Sequence, residues 1–217
     1  MRTKPYATAI ALFDEVELLD VAGPVSLLTG AGRQWNFQPF KIELVASAVG
    51  PVATRSSLHL QATHRFETAS EVECLIIPGG YGALPAANDE ALLRFIARAA
   101  ARAEIVAAIG NGVWLLAKAG VLDGVEVAVP LELSAALGEQ CPTVLAQTTV
   151  QSRFTGKFLS ASKSALGLDL ACEIVSRTLG KKLASNLSAA LGVGWSGELE
   201  GLEIVTGPLL GGAKPHP

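Results

Sequence analysis

A chain of 217 residues that is 50% hydrophobic and only 17% charged carries enough apolar material for one sizeable core and little for a solvated tail. Its 17 lysines and arginines face 20 acids, leaving a net charge of -3 without a basic cluster, which argues against nucleic acid as a partner. No apolar run approaches the ~20 residues that span a bilayer, and the short apolar stretch after MRTK lacks a signal-peptide cleavage region, so a cytoplasmic protein without a membrane partner is expected.

Residues 7–13 read as a short apolar strand, and residues 27–32 as the end of a helix that starts just after Pro24, a favoured first-turn residue. A second strand is expected over 42–47, followed by a β-ribbon over 50–64 and a continuous apolar strand over 72–77. Pro78-Gly79-Gly80-Tyr81-Gly82 stops that strand. Helical spacing then runs from 89 to 102, with arginines near the end where they favour the helix dipole.

Residues 105–109 form another buried strand, and Gly110-Asn111-Gly112 turns the chain into a short helix over 113–119 that ends at Gly120. Strands are expected over 125–129 and 143–153, with Thr155-Gly156 turning a hairpin that returns through 157–160. Two closing helices follow, over 166–178 and 181–191. Strands alternating with helices predict an α/β fold whose mostly parallel sheet is covered on both faces. Ligands of such sheets sit beyond the carboxyl ends of the strands, which directs attention to residues 14–24, 78–82 and 110–112.

Those stretches carry a resemblance. FDEVELLDVAGPVSLL, ECLIIPGGYGA, IVAAIGNGVWLLAKAGVLDG and SALGLDLACEIVSRTLGKKLA occur in order and resemble the first βα unit, glycine-rich oxyanion loop, nucleophile elbow and closing helices of the ThiJ/PfpI superfamily. That superfamily has a flavodoxin-like, class I glutamine amidotransferase-like fold. The likeness is nearest to isocyanide hydratases and to the amidotransferase-like domains of AraC-type regulators. It implies one domain over residues 1–203, a C-terminal tail over 204–217 and a homodimer. It also implies that Gly110 stands where the family carries a nucleophilic cysteine, and Pro130 where a histidine often follows.

Thiol chemistry at residue 110 is thereby excluded, because glycine offers nothing that can attack and leave. Cys74, Cys141 and Cys172 are scattered without disulfide or zinc spacing, and none is expected at the strand ends. His59, His64 and His216 share no ligand spacing with one another or with acids, so no metal and no cofactor is expected.

Asp20, in LLDVAGP, is the candidate catalytic residue, as a general acid or base whose pKa burial would tune. Its other reading is an N-cap for the helix after Gly23 and Pro24. Glu15 and Glu17 are left without a role. Gly79 and Gly80 are candidate binding residues through their backbone amides, or else simply a tight turn; Gly110, Asn111 and Gly112 complete the candidate binding set. Asn111 has a second reading as the cap of the next helix, and Trp114 reads as a core or pocket aromatic.

Two functions therefore stand open: a cysteine-independent hydratase or lyase acting on a small molecule through Asp20, and a noncatalytic domain that binds or senses a small-molecule ligand. The ending IVTGPLLGGAKPHP is too rich in glycine and proline for a helix-turn-helix, so regulation by such a domain would pass through a partner protein.

Overall fold

In the computed structural model, which describes residues 4–32, 37–195 and 197, the apolar runs become the centre of a seven-stranded sheet. The expected domain end at 203, the tail over 204–217 and His216 lie outside the described residues. The strands in chain order are β1 (Tyr6–Ala11), β2 (Phe40–Ala46), β3 (Gly50–Ala53), β4 (His59–Ala62), β5 (His64–Arg65), β6 (Cys74–Ile77), β7 (Ile105–Ile109), β8 (Glu126–Ala128), β9 (Leu145–Gln147), β10 (Ser152–Thr155) and β11 (Phe158–Ala161). The helices are α1 (Leu18–Gly30), α2 (Ala83–Ala86), α3 (Glu90–Arg102), α4 (Gly112–Lys118), α5 (Ser134–Gln140), α6 (Gly167–Leu179) and α7 (Lys181–Leu191).

The main sheet runs β10-β11-β7-β6-β1-β2-β5, with every pairing parallel except β10 against β11. Every residue of β6 and β7 is buried, as expected for inner strands covered on both faces and therefore written as continuous apolar sequence. From β1 the chain first moves outward to β2 and later restarts on the other side at β6. The crevice at a ligand-binding switch point thus opens at the carboxyl ends of β1 and β6. Right-handed crossovers in those two opposite directions put α1 and α3 on opposite faces; α6 packs against α1 and α7, and α4 packs against α3 and α2.

Three elements differ from the sequence reading. Residues 143–153 divide into β9 and β10, and β9 pairs with β8 in a separate two-stranded sheet. The expected ribbon forms, as β3 paired antiparallel with β4, but it stops short of residue 64, which belongs to β5 at the edge of the main sheet.

The third difference is that α1 starts at Leu18, six residues before Pro24, which sits inside the helix. Proline there removes one backbone hydrogen bond, at a cost of about 3 kcal/mol. Packing against α6 offsets it: Gly23 and Pro24 are buried, and a Cβ on Gly23 would already meet Leu168 at 3.4 Å.

The loops after β1 and β6 interlock at the crevice. Glu17 N–H donates to Gly79 O at 2.9 Å, Gly82 N–H donates to Glu15 O at 3.3 Å, and Val16 bridges to both Thr54 and Gly80. Glu15 holds a left-handed φ of 60° within this lock. A Cβ on Gly82 would lie 1.7 Å from Asp14 O, so the two backbones could not approach if residue 82 bore a side chain. Gly82→Ala is expected to lower stability by about 3 kcal/mol or more, whereas Gly180→Ala, at φ 102° with nothing within 4 Å of the new Cβ, should lose only about 1–2 kcal/mol. Urea unfolding of the two variants side by side measures the difference, and equal losses would show that the loops do not depend on this approach.

Candidate functional site

The strand β7 ends at an elbow. Gly110 N–H donates to Ala161 O at 2.7 Å, residue 110 turns at φ 52°, and the chain enters α4 at Gly112. A left-handed turn of this kind suits glycine, which has no Cβ to strain. Asn111 occupies the cap position of α4 without making a side-chain cap bond; its side-chain amide instead reaches Gly80 O at 3.5 Å. Gly112 is packed under the β6 loop, where a Cβ would stand 2.3 Å from Ile77 O. It shapes the turn and does not line the cleft beside it.

Asp20 lies in the first turn of α1 and caps nothing. The cap reading fails because the helix begins earlier, with Glu17 in the cap position and its carboxylate 3.5 Å from Leu19 N. The Asp20 side chain turns inward and is fully buried. Its Oδ2 accepts a hydrogen bond from Gly79 N–H at 2.8 Å, while its Oδ1 has no hydrogen-bond partner among the described residues. Burial pushes the carboxyl up from its ordinary 3.8 to about 6; the Ser164 side chain and the Gly79 amide draw it back down, and the Glu17 charge adds to the rise. Ser164 bears on this carboxyl without completing a hydrogen bond to Oδ1.

Of the expected pair of amides at Gly79 and Gly80, the first is committed inside the fold. Gly79 N–H is spent on Asp20, and Gly79 is wedged so closely that a Cβ would meet Ile109 O at 2.7 Å, Asn111 N at 2.9 Å and Asp20 Oδ2 at 2.9 Å. Gly80, at φ 122°, lines the cleft.

That cleft has a volume of about 280 Å³, with Gly80, Gly110 and Asn111 beside Ser162 and Ser164 in its wall. The buried Pro130 closes one side. Four charged side chains enter it: Glu17, Arg55, Glu132 and Lys163. The Arg55 guanidinium stacks over Tyr81, 3.9 Å from the ring centroid, at the mouth. Acids and bases balance across the cleft, so it suits a polar small molecule.

A larger cavity of about 400 Å³ lies across the loop lock, between the ends of β1 and β2 and the start of α3. Its walls are mostly apolar, and the Asp89 carboxylate within it is committed to the Ala91 and Leu92 amides as the cap of α3. The smaller cleft holds the elbow and the convergent charges, and is the candidate site.

Sequence reasoning left Glu17 unassigned and passed over Arg55, Tyr81, Glu132, Lys163 and Ser164. Lys163 and Ser164 had a usable signal: with Ser162 they make up the first three residues after β11, which runs parallel to β7 and therefore ends at the same edge. Cys74 and Cys172 are fully buried, and burial pushes both thiols up to about 12; Cys141 is half-buried, with its thiol also raised. Trp114 is buried in the core. His59 and His64 fall on β4 and β5, and no group of three or more metal-ligating side chains forms among the described residues.

These features define an α/β protein with a strand-elbow-helix site at the carboxyl edge of a parallel sheet. The chain matches the model of the DJ-1/PfpI family over residues 7–177 and belongs to that family.

Isonitrile hydratase of Pseudomonas putida is 33% identical over 113 residues, which are 52% of this chain and 47% of that protein. The HTH-type transcriptional regulator GbdR of Pseudomonas aeruginosa is 26% identical over 184 residues, 85% of this chain and 50% of the regulator. This chain thus spans about half the length of the curated relatives it matches. A ThiJ/PfpI family protein from Pseudomonas syringae superposes with a TM-score of 0.78 at 23% identity, covering 87% of this chain and 75% of that one, a likeness of fold. No helix among the described residues is long and apolar enough to cross a membrane.

The raised Asp20 pKa has a stability consequence. The native carboxyl holds its proton more tightly than the unfolded chain does, so the contribution of this group to stability is greatest below the ordinary value of 3.8 and is lost as pH rises through about 6. Asp20→Asn keeps an acceptor for Gly79 N–H and cannot ionise. Its stability relative to the native protein should rise between acid and mildly alkaline pH by roughly 2–3 kcal/mol. Urea unfolding across that range tests this, and parallel pH profiles for the two proteins would refute it.

Proposed function

We propose that this chain is a noncatalytic small-molecule-binding member of the DJ-1/PfpI family, using the cleft at the elbow to recognise a polar ligand. One observation carries the reading. Residue 110 has no side chain, and the acid beside it, Asp20, has no solvent exposure in the unliganded protein and is bonded to Gly79. Covalent attack needs an activated group in contact with the substrate, and the buried thiols of Cys74 and Cys172 are held far from ionisation. What reaches the cleft is suited to recognition: two acidic and two basic side chains, serine hydroxyls and the Gly80 turn.

A second reading, a cysteine-independent hydratase or lyase, draws support from Asp20 itself. A carboxyl raised to about 6 with one oxygen unpartnered is tuned for acid-base work near neutral pH. The similarity to an isonitrile hydratase favours this reading, and that to a transcriptional regulator favours the first.

Incubating the protein with a polar metabolite extract, followed by mass spectrometry of what co-purifies, separates the two. Binding alone predicts one ligand recovered unchanged after prolonged incubation, with affinity lowered about tenfold or more by Arg55→Ala through loss of a charged contact. A product that accumulates with the native protein and not with Asp20→Asn would establish the hydratase or lyase instead.

A further inference from the structure

The space above Gly110 differs from that at the glycines around it. A Cβ on Gly79, Gly80, Gly82 or Gly112 would collide with backbone at 2.9 Å or less. One on Gly110 would meet a single heavy atom within 4 Å, Asp20 Oδ2, at 3.9 Å. Packing therefore leaves room for a group at this position, and the atom facing that room is a carboxylate oxygen.

The carboxyl is incompletely satisfied. Oδ2, the oxygen that faces the slot, accepts one hydrogen bond from Gly79 and can accept a second. The Ser164 side chain bears on the carboxyl, and Oδ1, more than 4 Å from the slot position, has no partner among the described residues although the residue is fully buried. A buried carboxylate with unmet acceptor capacity is costly, and such a group calls for an ordered water, a catalytic role or a bound partner. Charge indicates the kind of partner. Arg55 and Lys163 at the cleft are matched by Glu17 and Glu132, so an ionised Asp20 is the uncompensated charge, and Glu17 adds to the negative potential it feels.

We infer that the slot over Gly110 is a subsite for a primary ammonium on the ligand, which stands where a side chain at residue 110 would stand and donates to the Asp20 carboxylate. The inference rests on the cleft being a small-molecule site, and it names the ligand class as a small primary amine. Since the carboxyl has no solvent exposure in the unliganded protein, the head group reaches it by displacing the Ser164 side chain, which bears on the same carboxyl from the cleft wall. An ammonium is favoured over a hydroxyl because a hydrogen bond between two charged groups is about twice as strong as a neutral one.

The test is a two-dimensional amide NMR titration of the full chain with methylammonium chloride, beside tetramethylammonium chloride, which has the charge without a donor, and methanol, which has a donor without the charge. Methylammonium should produce saturable shifts at the Gly79 and Gly110 amides, with each control at least about tenfold weaker, the loss expected for one charge-assisted hydrogen bond. Gly110→Ala fills the slot and leaves Asp20 in place, and should weaken methylammonium by a similar factor. Asp20→Asn should do the same.

Equal shifts from tetramethylammonium, no shift at Gly79 and Gly110, or a methylammonium affinity indifferent to Gly110→Ala would each overturn the subsite. Failure of the wider reading looks different. A metabolite bound and recovered unchanged, with affinity insensitive to Gly110→Ala, removes the ammonium subsite and keeps the binding cleft; turnover of the metabolite removes the noncatalytic reading and leaves the subsite standing on the NMR result.

Discussion

The hydrogen bond from Gly79 N–H to Asp20 Oδ2 joins the first turn of α1 to the loop after β6 directly beneath the elbow that follows β7. Both partners are buried, so neither can turn to water if the other moves, and an unmet donor or acceptor there costs more than the bond contributes when formed. Around that bond the backbones come too close for side chains, and glycine at residues 79, 80 and 82 is the steric result. The site depends on this arrangement for its shape, because the carboxyl that could have lined the cleft is drawn below it.

What remains at the cleft comes from separate parts of the chain. Glu17 precedes α1, Arg55 lies in the ribbon between β3 and β4, Tyr81 follows β6, Glu132 lies between β8 and α5, and Lys163 follows β11. Such a wall can be altered loop by loop while the sheet and elbow stay constant. This accounts physically for a likeness to proteins named as a hydratase and as a regulator alike, since function resides in the site grafted on a fold.

Much of the architecture was legible in the sequence because inner parallel strands must be apolar on both faces. The runs that became β6 and β7 carry no periodic ambiguity. Helix α3 was equally plain, its start marked by Asp89 and its end by Arg102. The start of α1 was not: Pro24 is a strong first-turn signal, overridden by the packing of α1 against α6, where Gly23 lies close to Leu168, far along the chain. The extended stretch before the hairpin was misread as one strand because β9 and β10 join different partners, which local alternation does not record.

The sequence by itself determined the α/β class, the order of the elements, the glycine-rich turns and the absence of a side chain at residue 110, since each follows from residue identity or local periodicity. Tertiary structure decided which of those groups share a site. Only the fold could spend the Gly79 amide on Asp20, bury that carboxyl and raise its pKa, and bring Arg55, Glu132 and Lys163 to the elbow. The reason is physical: desolvation and hydrogen bonding depend on neighbours in space, and the neighbours of Asp20 come from three segments that the chain keeps far apart.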